Sequence, residues 1–188
     1  MQLAEIELLH IINGCLKNDE KARRKLYEMF APKIMSICRR YTYSKYEADD
    51  IFQDAFVDIF RGLKTFDVLK GNFDGWIYTV AVNAALKSVR KNIKEKQLQL
   101  EDVKEQEITQ VALDDGLEAE DLLKFIDELP MGKKTIFNLY VIEGYSHKEI
   151  SSMLNISEGT SKSQLSKAKE MLVQIHNKYN RINEYRLF

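Results

Sequence analysis

The sequence predicts two small all-α domains joined by an acidic linker. Its 188 residues amount to one ordinary domain or two small ones, and 45% of them are hydrophobic, which is enough to form a core. Only 8 Gly and 2 Pro occur, too few for the closely spaced turns of an all-β sandwich. Apolar residues recur at helical spacing in both halves of the chain, with weak periodicity between them. We therefore expect a first domain over residues 1–92, a linker over 93–118 and a second domain over 119–188.

The formal net charge of -1 conceals a strong segregation along the chain. Residues 1–92 carry +3, residues 93–128 carry -8, and residues 129–188 carry +4. Two mildly basic blocks on either side of an acidic one indicate charged partners for the separate segments. A solvated acidic linker between ordinary surfaces explains the same totals, so charge alone leaves both interpretations open.

Several protein classes are disfavoured by simple features of the sequence. The longest uninterrupted hydrophobic run has four residues, Leu139 to Ile142, so no membrane insertion is expected. The first residues, MQLAEIE, are acidic and do not resemble a secretory signal, which indicates a cytoplasmic protein. Cys15 and Cys38 fit no metal-ligand spacing and are expected to be packing residues. No catalytic constellation or Gly-rich phosphate loop is present, so we expect no enzyme, no cofactor and no metal.

In the first half, the helical pattern runs from Glu20 to Lys91 with two short interruptions. One interruption is expected around Tyr43 to Tyr46, and the other at the sequence KGNFDG, residues 70–75, whose residues tolerate turn geometries. Asp74 is the expected cap of the helix that follows, through about Arg90.

In the second half, the pattern predicts a helix-turn-helix. A helix over residues 133–142 is expected to end at Gly144, which supplies a left-handed cap. Ser146 and Glu149 have the spacing of a capping box, which opens a short helix reaching about Met153. Ser157 is then the expected N-cap of a longer helix, through about residue 175.

The outer face of this last helix is suited to reading DNA. On a helical wheel one arc is apolar, whereas the opposite arc is small, polar and partly basic, which allows close approach to base edges in a major groove. Lys133 and Lys134 of the preceding helix are expected to add to the phosphate footprint. A plain amphipathic hairpin with a solvated face is the alternative. The expected DNA-reading residues are Lys162, Ser163, Ser166 and Lys167.

The stretch EADDIFQDAFVDIF combines an apolar stripe with an acidic face. Like charges four residues apart destabilise a helix by roughly 0.2 to 0.5 kcal/mol per pair, so a basic partner explains this face better than helix stability does. A solvated acidic face is the alternative, and a carboxylate metal site lacks a nearby histidine partner. The residues of this face are Glu47, Asp49, Asp50, Gln53, Asp54 and Asp58.

The helix after KGNFDG is predicted to carry a polar and basic face with aromatic neighbours. Single-stranded nucleic-acid sites use this combination, because a stacked base contributes roughly 1 to 3 kcal/mol. A base pulled from the duplex also needs a loop-lined pocket. Core packing of Phe73 and Trp76 is the alternative. The residues of this site are Asn72, Phe73, Trp76, Asn83, Lys87, Arg90 and Lys91.

Three segments together resemble the sigma-70 family of bacterial RNA polymerase sigma factors, specifically its extracytoplasmic-function (ECF) group. ADDIFQDAF is similar to the region two helix that docks on the clamp helices of the polymerase β′ subunit. FDGWIYTVAVNAALKSVRK is similar to the part that melts and reads the minus-ten element. LPMGKKTIFNLYVIEGYSHKEISSMLNISEGTSKSQLSKAKEML resembles region four, which reads the minus-thirty-five element and contacts the β flap. The resemblance covers about residues 15–92 and 119–175.

The resemblance implies a promoter-specificity subunit with no catalytic activity. Its implied partners are core RNA polymerase, promoter DNA and an anti-sigma factor. The acidic face would bind polymerase, the set around Trp76 and Asn83 would hold the minus-ten element, and the set around Ser166 would read the minus-thirty-five element. The acidic linker would imitate nucleic acid in a positively charged RNA path.

The chain departs from the family pattern at five positions. Lys87 stands where an acid is frequent, and Thr79 stands where Arg is common. Ser161 replaces the β-branched apolar residue that usually follows Gly-Thr, and Gln164 and Lys169 replace frequent arginines. These changes leave the promoter sequence open.

Two other functions remain compatible with the same residues. A two-domain helix-turn-helix regulator would bind operator DNA without polymerase, and it would shift duplex DNA alone. A helical adaptor that binds only proteins would be indifferent to nucleic acid.

Overall fold

The all-α prediction is confirmed. The computed structural model describes the backbone of residues 2–67, 72–95 and 119–185, and the side chains of residues 6–67, 72–95 and 122–179. These residues form eight α-helices, and no strand occurs among them. The chain divides into two compact units, Met1–Val89 and Arg90–Phe188. Most of the predicted linker, residues 96–118, lies outside the described residues, and the three predicted domain ranges stay a prediction.

Four helices build the first unit: α1 (Gln2–Leu16), α2 (Glu20–Arg40), α3 (Lys45–Gly62) and α4 (Phe73–Lys94), whose residues from Arg90 onward belong to the second unit. A 3₁₀ turn, Leu63–Thr65, follows α3. The core takes one apolar stripe from each of the last three helices, as helical periodicity requires. The large side chains that it buries completely include Leu26, Ile34, Ile37, Ile59, Ile77 and Leu86.

Helix α1 and its turn into α2 were not predicted from the sequence. The turn contains Asn18 with a φ of 62°, in the left-handed region that Asn tolerates. Asp19 then caps α2 by accepting a hydrogen bond from the Lys21 N–H at 2.9 Å. The two helices approach closely at Gly14, where an added Cβ would lie 2.5 Å from the Cβ of Ala22.

The start of α4 differs from the prediction. The helix begins at Phe73, and the cap is Asn72, whose Oδ1 accepts a hydrogen bond from the Gly75 N–H at 2.6 Å. Asp74, the predicted cap, lies in the first turn and pairs with Lys33 at 2.7 Å instead. Residues 68–71, which include the first two of KGNFDG, lie outside the described residues.

The second unit contains the predicted helix-turn-helix. Its helices are α5 (Ala119–Asp127), α6 (Met131–Phe137), α7 (His147–Leu154) and α8 (Glu158–Tyr185). The capping box of Ser146 and Glu149 is confirmed, as is the left-handed Gly144, with a φ of 77°. Ser157 caps α8 by accepting a hydrogen bond from the Thr160 N–H at 2.9 Å.

Two helix bounds in this unit were predicted incorrectly. Helix α6 starts directly after Pro130 and gives way to a π-helical segment, Asn138–Ile142, where one α-helix had been expected. Helix α8 runs ten residues past the predicted end. Within the described ranges, no helix is long and apolar enough to cross a membrane.

Candidate functional site

The predicted acidic face lies along the outside of α3. Asp50, Gln53, Asp54 and Asp58 are exposed, and Asp49 is half-buried. The apolar side of the same helix buries Ile51, Ala55, Phe56 and Ile59. Because the carboxylates and the core residues occupy opposite sides of one helix, the acidic face is free to meet a partner without disturbing the fold.

Glu47 turns away from this face, which corrects the predicted set. Its carboxylate accepts hydrogen bonds from the hydroxyls of Thr42, at 2.5 Å, and Ser88, at 2.7 Å. Glu47 is half-buried and therefore ties the start of α3 to the loop before it and to α4. This makes it a structural residue rather than a part of the exposed face.

An open aromatic groove of about 760 Å³ borders the acidic face. Tyr27 of α2 packs against Phe56 and against the edge of Phe52, with ring centroids 4.8 and 5.8 Å apart. Tyr27 and Val57 are each 44% exposed, so the groove presents apolar surface to solvent. Asp49 and Gln53 of the predicted polymerase-binding set line it as well.

A second cavity, of about 550 Å³, lies beside the start of α4. Half-buried Trp76 forms part of its wall, with Asn72, Gly75 and Thr79 from the same helical stretch. Phe66 contributes an aromatic ring whose centroid lies 5.3 Å from that of Trp76. The cavity is therefore lined by two aromatic rings and by polar side chains.

Phe73 packs behind the two aromatic rings that line this cavity and is only 4% exposed. Its ring contacts those of Phe30, Phe66 and Trp76, with centroids 5.0 to 5.5 Å apart. The structure therefore corrects the prediction of a direct DNA contact, since Phe73 holds the ring of Trp76 in place.

The remaining predicted minus-ten residues continue along the outside of α4. Asn83, Lys87, Arg90 and Lys91 are all exposed, and Thr79 joins them at the cavity end. Lys87 Nζ lies 3.8 Å from Asp54 Oδ2 of α3. A polar and then basic strip thus leads away from the Trp76 cavity.

The outer arc of α8 has the predicted composition. Lys162, Ser163, Ser166 and Lys167 are half-buried, whereas the arc that packs on the module buries Leu165, Ala168 and Leu172. The Ser163 hydroxyl donates to the Thr160 carbonyl at 3.0 Å, and the Ser166 hydroxyl donates to Glu170 at 3.3 Å. These contacts keep the small side chains close to the helix, which leaves the arc shallow enough to enter a groove.

Two family models match the chain, one in its first half and one in its second half. Sigma-70 region 2 matches residues 26–95, and Sigma-70, region 4 matches residues 119–172. Together the matches include the acidic face, the Trp76 cavity and the helix-turn-helix. The chain belongs to the sigma-70 family. Its relatives place it among the ECF sigma factors.

The chain is 27% identical over 168 residues to ECF RNA polymerase sigma factor SigW of Bacillus subtilis (strain 168), covering 83% of this chain and 89% of the relative. ECF RNA polymerase sigma factor SigM of the same strain is 27% identical over 161 residues, covering 82% and 94%. A solved structure of sigma factor RpoE with the anti-sigma factor NepR, from Bartonella quintana, is 19% identical, with a TM-score of 0.45, covering 82% and 96%.

In this sigma factor, one lysine predicted for the DNA footprint is unavailable. Lys134 is 2% exposed, and its ammonium pairs with Asp127 at 2.8 Å, so the prediction that it meets a phosphate is wrong. The neighbouring Lys133 is half-buried. Among the described residues, no group of His, Cys, Asp and Glu is arranged to hold a metal ion.

Sequence reasoning did not find three features of these surfaces. Tyr27 lies on α2, far along the chain from the acidic face that its ring borders. Gly62 lets the indole of Trp76 pack against the end of α3, since a Cβ there would lie 2.8 Å from Cζ2. The third feature is a part-buried hydrogen bond between His147 and Ser161, at 2.9 Å. Each depends on contacts between distant segments, which periodicity does not reveal.

Proposed function

We propose that three surfaces divide the work of this ECF sigma factor, which binds core RNA polymerase and directs promoter-specific transcription initiation. The acidic face of α3 and its groove dock on the β′ clamp helices. The Trp76 cavity and the strip along α4 hold the minus-ten element, and the outer arc of α8 reads the minus-thirty-five element. The observation that carries the proposal is the acidic face beside an open aromatic groove.

The docking surface combines two kinds of attraction. Exposed carboxylates steer a basic partner and fix its orientation, whereas aromatic side chains in a groove supply most of the binding energy. The exposed acids of α3 and the half-exposed rings of Tyr27 and Phe52 fit this arrangement. If no partner covered the groove, its apolar side chains would stay exposed to water. Contiguous exposed apolar surface of this kind is typical of an interaction site.

The minus-ten proposal follows from the position of Trp76. A base drawn out of the duplex gains by stacking on an aromatic ring and by hydrogen bonds along its edge. The cavity offers the Trp76 ring together with the polar groups of Asn72 and Thr79. The phosphates of the same DNA strand then lie along α4, where exposed Lys87, Arg90 and Lys91 bind them.

The minus-thirty-five proposal follows from the shape and charge of α8. A recognition helix contacts base edges with the residues of its first turns, and lysines beside them meet the phosphates. Ser163 and Ser166 are small enough for the first role, and Lys162 and Lys167 suit the second. An anti-sigma factor that covers this arc or the acidic face would keep the chain inactive in the cytoplasm, and that partner stays a prediction.

Association with purified core polymerase tests the docking surface. We expect Asp50→Lys to weaken binding by about tenfold, equivalent to roughly 1.4 kcal/mol, because it reverses one exposed charge of the face. Glu7→Lys is the matched control, since Glu7 is an exposed acid on α1 that pairs with exposed Lys25 at 3.9 Å. Equal binding by both variants and the parent chain would remove α3 as the docking surface.

A further inference from the structure

His147 joins two helices of the helix-turn-helix through a specific contact. It is the first residue of α7, and its Nδ1 lies 2.9 Å from the hydroxyl of Ser161 in the first turn of α8. Ser161 is fully buried, at 0% exposure. The other side of the imidazole is stacked on Tyr140 of the π-helical segment, with centroids 4.4 Å apart and an interplanar angle of 22°. His147 therefore connects three successive elements of the second unit.

Ser161 lies in the middle of the arc that α8 buries. Helical geometry of 3.6 residues per turn places it on the same side as Leu165, Ala168 and Leu172. Ser163 and Ser166 lie on the opposite side, on the proposed reading arc. A contact that fixes the rotation of α8 at Ser161 therefore fixes the direction in which the reading arc points.

The hydrogen bond between His147 and Ser161 lies at the start of α8, where few apolar side chains are buried. The start of α8 buries Thr160, Ser161 and Gln164, which are polar and offer little hydrophobic surface. A hydrogen bond confines its two partners to a narrow range of distance and angle. Since side chains reach about 5 to 6 Å from a helix axis, a rotation of about 20° displaces the reading arc by about 2 Å.

We propose that His147 is a positioning residue for promoter reading: its bond to Ser161 sets the rotation at which α8 presents Ser163, Ser166 and Lys167 to the minus-thirty-five bases. This inference rests on the proposed role of α8. A displacement of about 2 Å exceeds the tolerance of a base-edge hydrogen bond, so loss of the contact changes which sequence is preferred.

The experiment uses the full chain with core polymerase and a duplex library randomised at the minus-ten and minus-thirty-five windows. The templates that yield transcripts are sequenced, and enrichment of the preferred sequence is measured separately for each window. The minus-ten window is an internal control, because its proposed contacts lie on α4. No transcript from any template with the parent chain would refute the proposed function itself, and not merely the role of His147.

Two substitutions at one position separate positioning from simple packing. In His147→Asn the amide lies two bonds from Cβ, as Nδ1 does, and keeps the bond to Ser161. In His147→Gln the amide lies three bonds away, as Nε2 does, and loses it. We expect His147→Gln to reduce minus-thirty-five enrichment by about tenfold, the factor for losing one well-formed base contact, with minus-ten enrichment unchanged. His147→Asn should retain the parent preference.

Ser161→Ala provides a second route, because it removes the hydroxyl without adding volume at this fully buried position. The same loss of minus-thirty-five enrichment is expected, so the proposal remains testable if His147→Gln does not fold. Parent-like enrichment in both His147→Gln and Ser161→Ala would overturn the inference. Equal losses in His147→Asn and His147→Gln, or a loss in both windows together, would also overturn it, since either result describes packing alone.

Discussion

Lys87 Nζ lies 3.8 Å from Asp54 Oδ2, so one ion pair joins the proposed DNA-binding strip of α4 to the acidic face of α3. The two side chains are 69% and 61% exposed. Exposed ion pairs contribute roughly 0 to 1 kcal/mol to the free energy of unfolding. Lys87 can therefore readily leave Asp54 to bind a phosphate, and Asp54 can readily leave Lys87 to bind a basic group of polymerase.

Lys87→Gln should therefore affect DNA binding more than folding. We expect the free energy of unfolding to change by less than about 1 kcal/mol. The salt slope of promoter binding by the holoenzyme should fall by roughly 0.7 to 0.9, the value for one lost phosphate contact. Lys21→Gln, an exposed lysine at the start of α2, is the control. A slope that Lys87→Gln leaves unchanged would place this lysine outside the DNA contact.

Gly62→Ala should disturb the minus-ten cavity. The new Cβ would lie 2.8 Å from Cζ2 of Trp76, so the indole must move. We expect a loss of roughly 1 to 3 kcal/mol in stability and a shifted fluorescence spectrum, which reports directly on the protein's single tryptophan. Gly159→Ala is the matched control, because its Cβ would make an ordinary contact with Ser157 Oγ, at 3.6 Å. A parent-like spectrum in Gly62→Ala would contradict the close approach.

The stability of the second unit should fall at mildly acid pH because of His147. Burial lowers the pKa of His147 below its ordinary value of 6.5, Lys162 and Lys169 lower it further, and Glu158 opposes them. The unfolded chain then binds more protons near that value, so the folded state loses stability as the pH falls through 6.5 toward the folded pKa. The free energy of unfolding, measured with urea at several pH values, should fall more steeply with decreasing pH for the parent chain than for His147→Gln. Parallel pH profiles would contradict the assignment.

Cys38 should be unreactive in the native protein. Its thiol is fully buried, and this burial raises the pKa to about 12, so almost no thiolate forms at neutral pH. Cys15 is also buried, and its pKa is raised chiefly by the same cause. We expect a thiol-specific disulfide reagent to react with both only after denaturant is added. Rapid labelling of the native chain would show that one of them opens to solvent.

Much of the fold could be predicted from local patterns. Periodicity gave the apolar side of α3, and the spacing of Ser146 and Glu149 gave the start of α7, because both depend on residues within a few positions of each other. The turn between α1 and α2 was harder to see, since Asn18 in a left-handed conformation carries no Gly or Pro signal.

The site residues show the same division between local and distant information. Exposure of Asp50 and Asp54 followed from the helical wheel. The inward turn of Glu47 did not, because its partner Ser88 lies 41 residues away. Likewise, Lys134 is polar in any sequence pattern, and only the fold reveals that it is buried against Asp127.

Transcription in vitro from a library of promoter fragments tests the central claim most directly. Core polymerase is supplied with the parent chain, with Asp50→Lys, or with no addition. We expect the parent chain to produce transcripts that begin at a shared set of sites absent without it, and Asp50→Lys to produce far fewer of them. Identical transcripts with and without the parent chain would contradict its role in promoter selection.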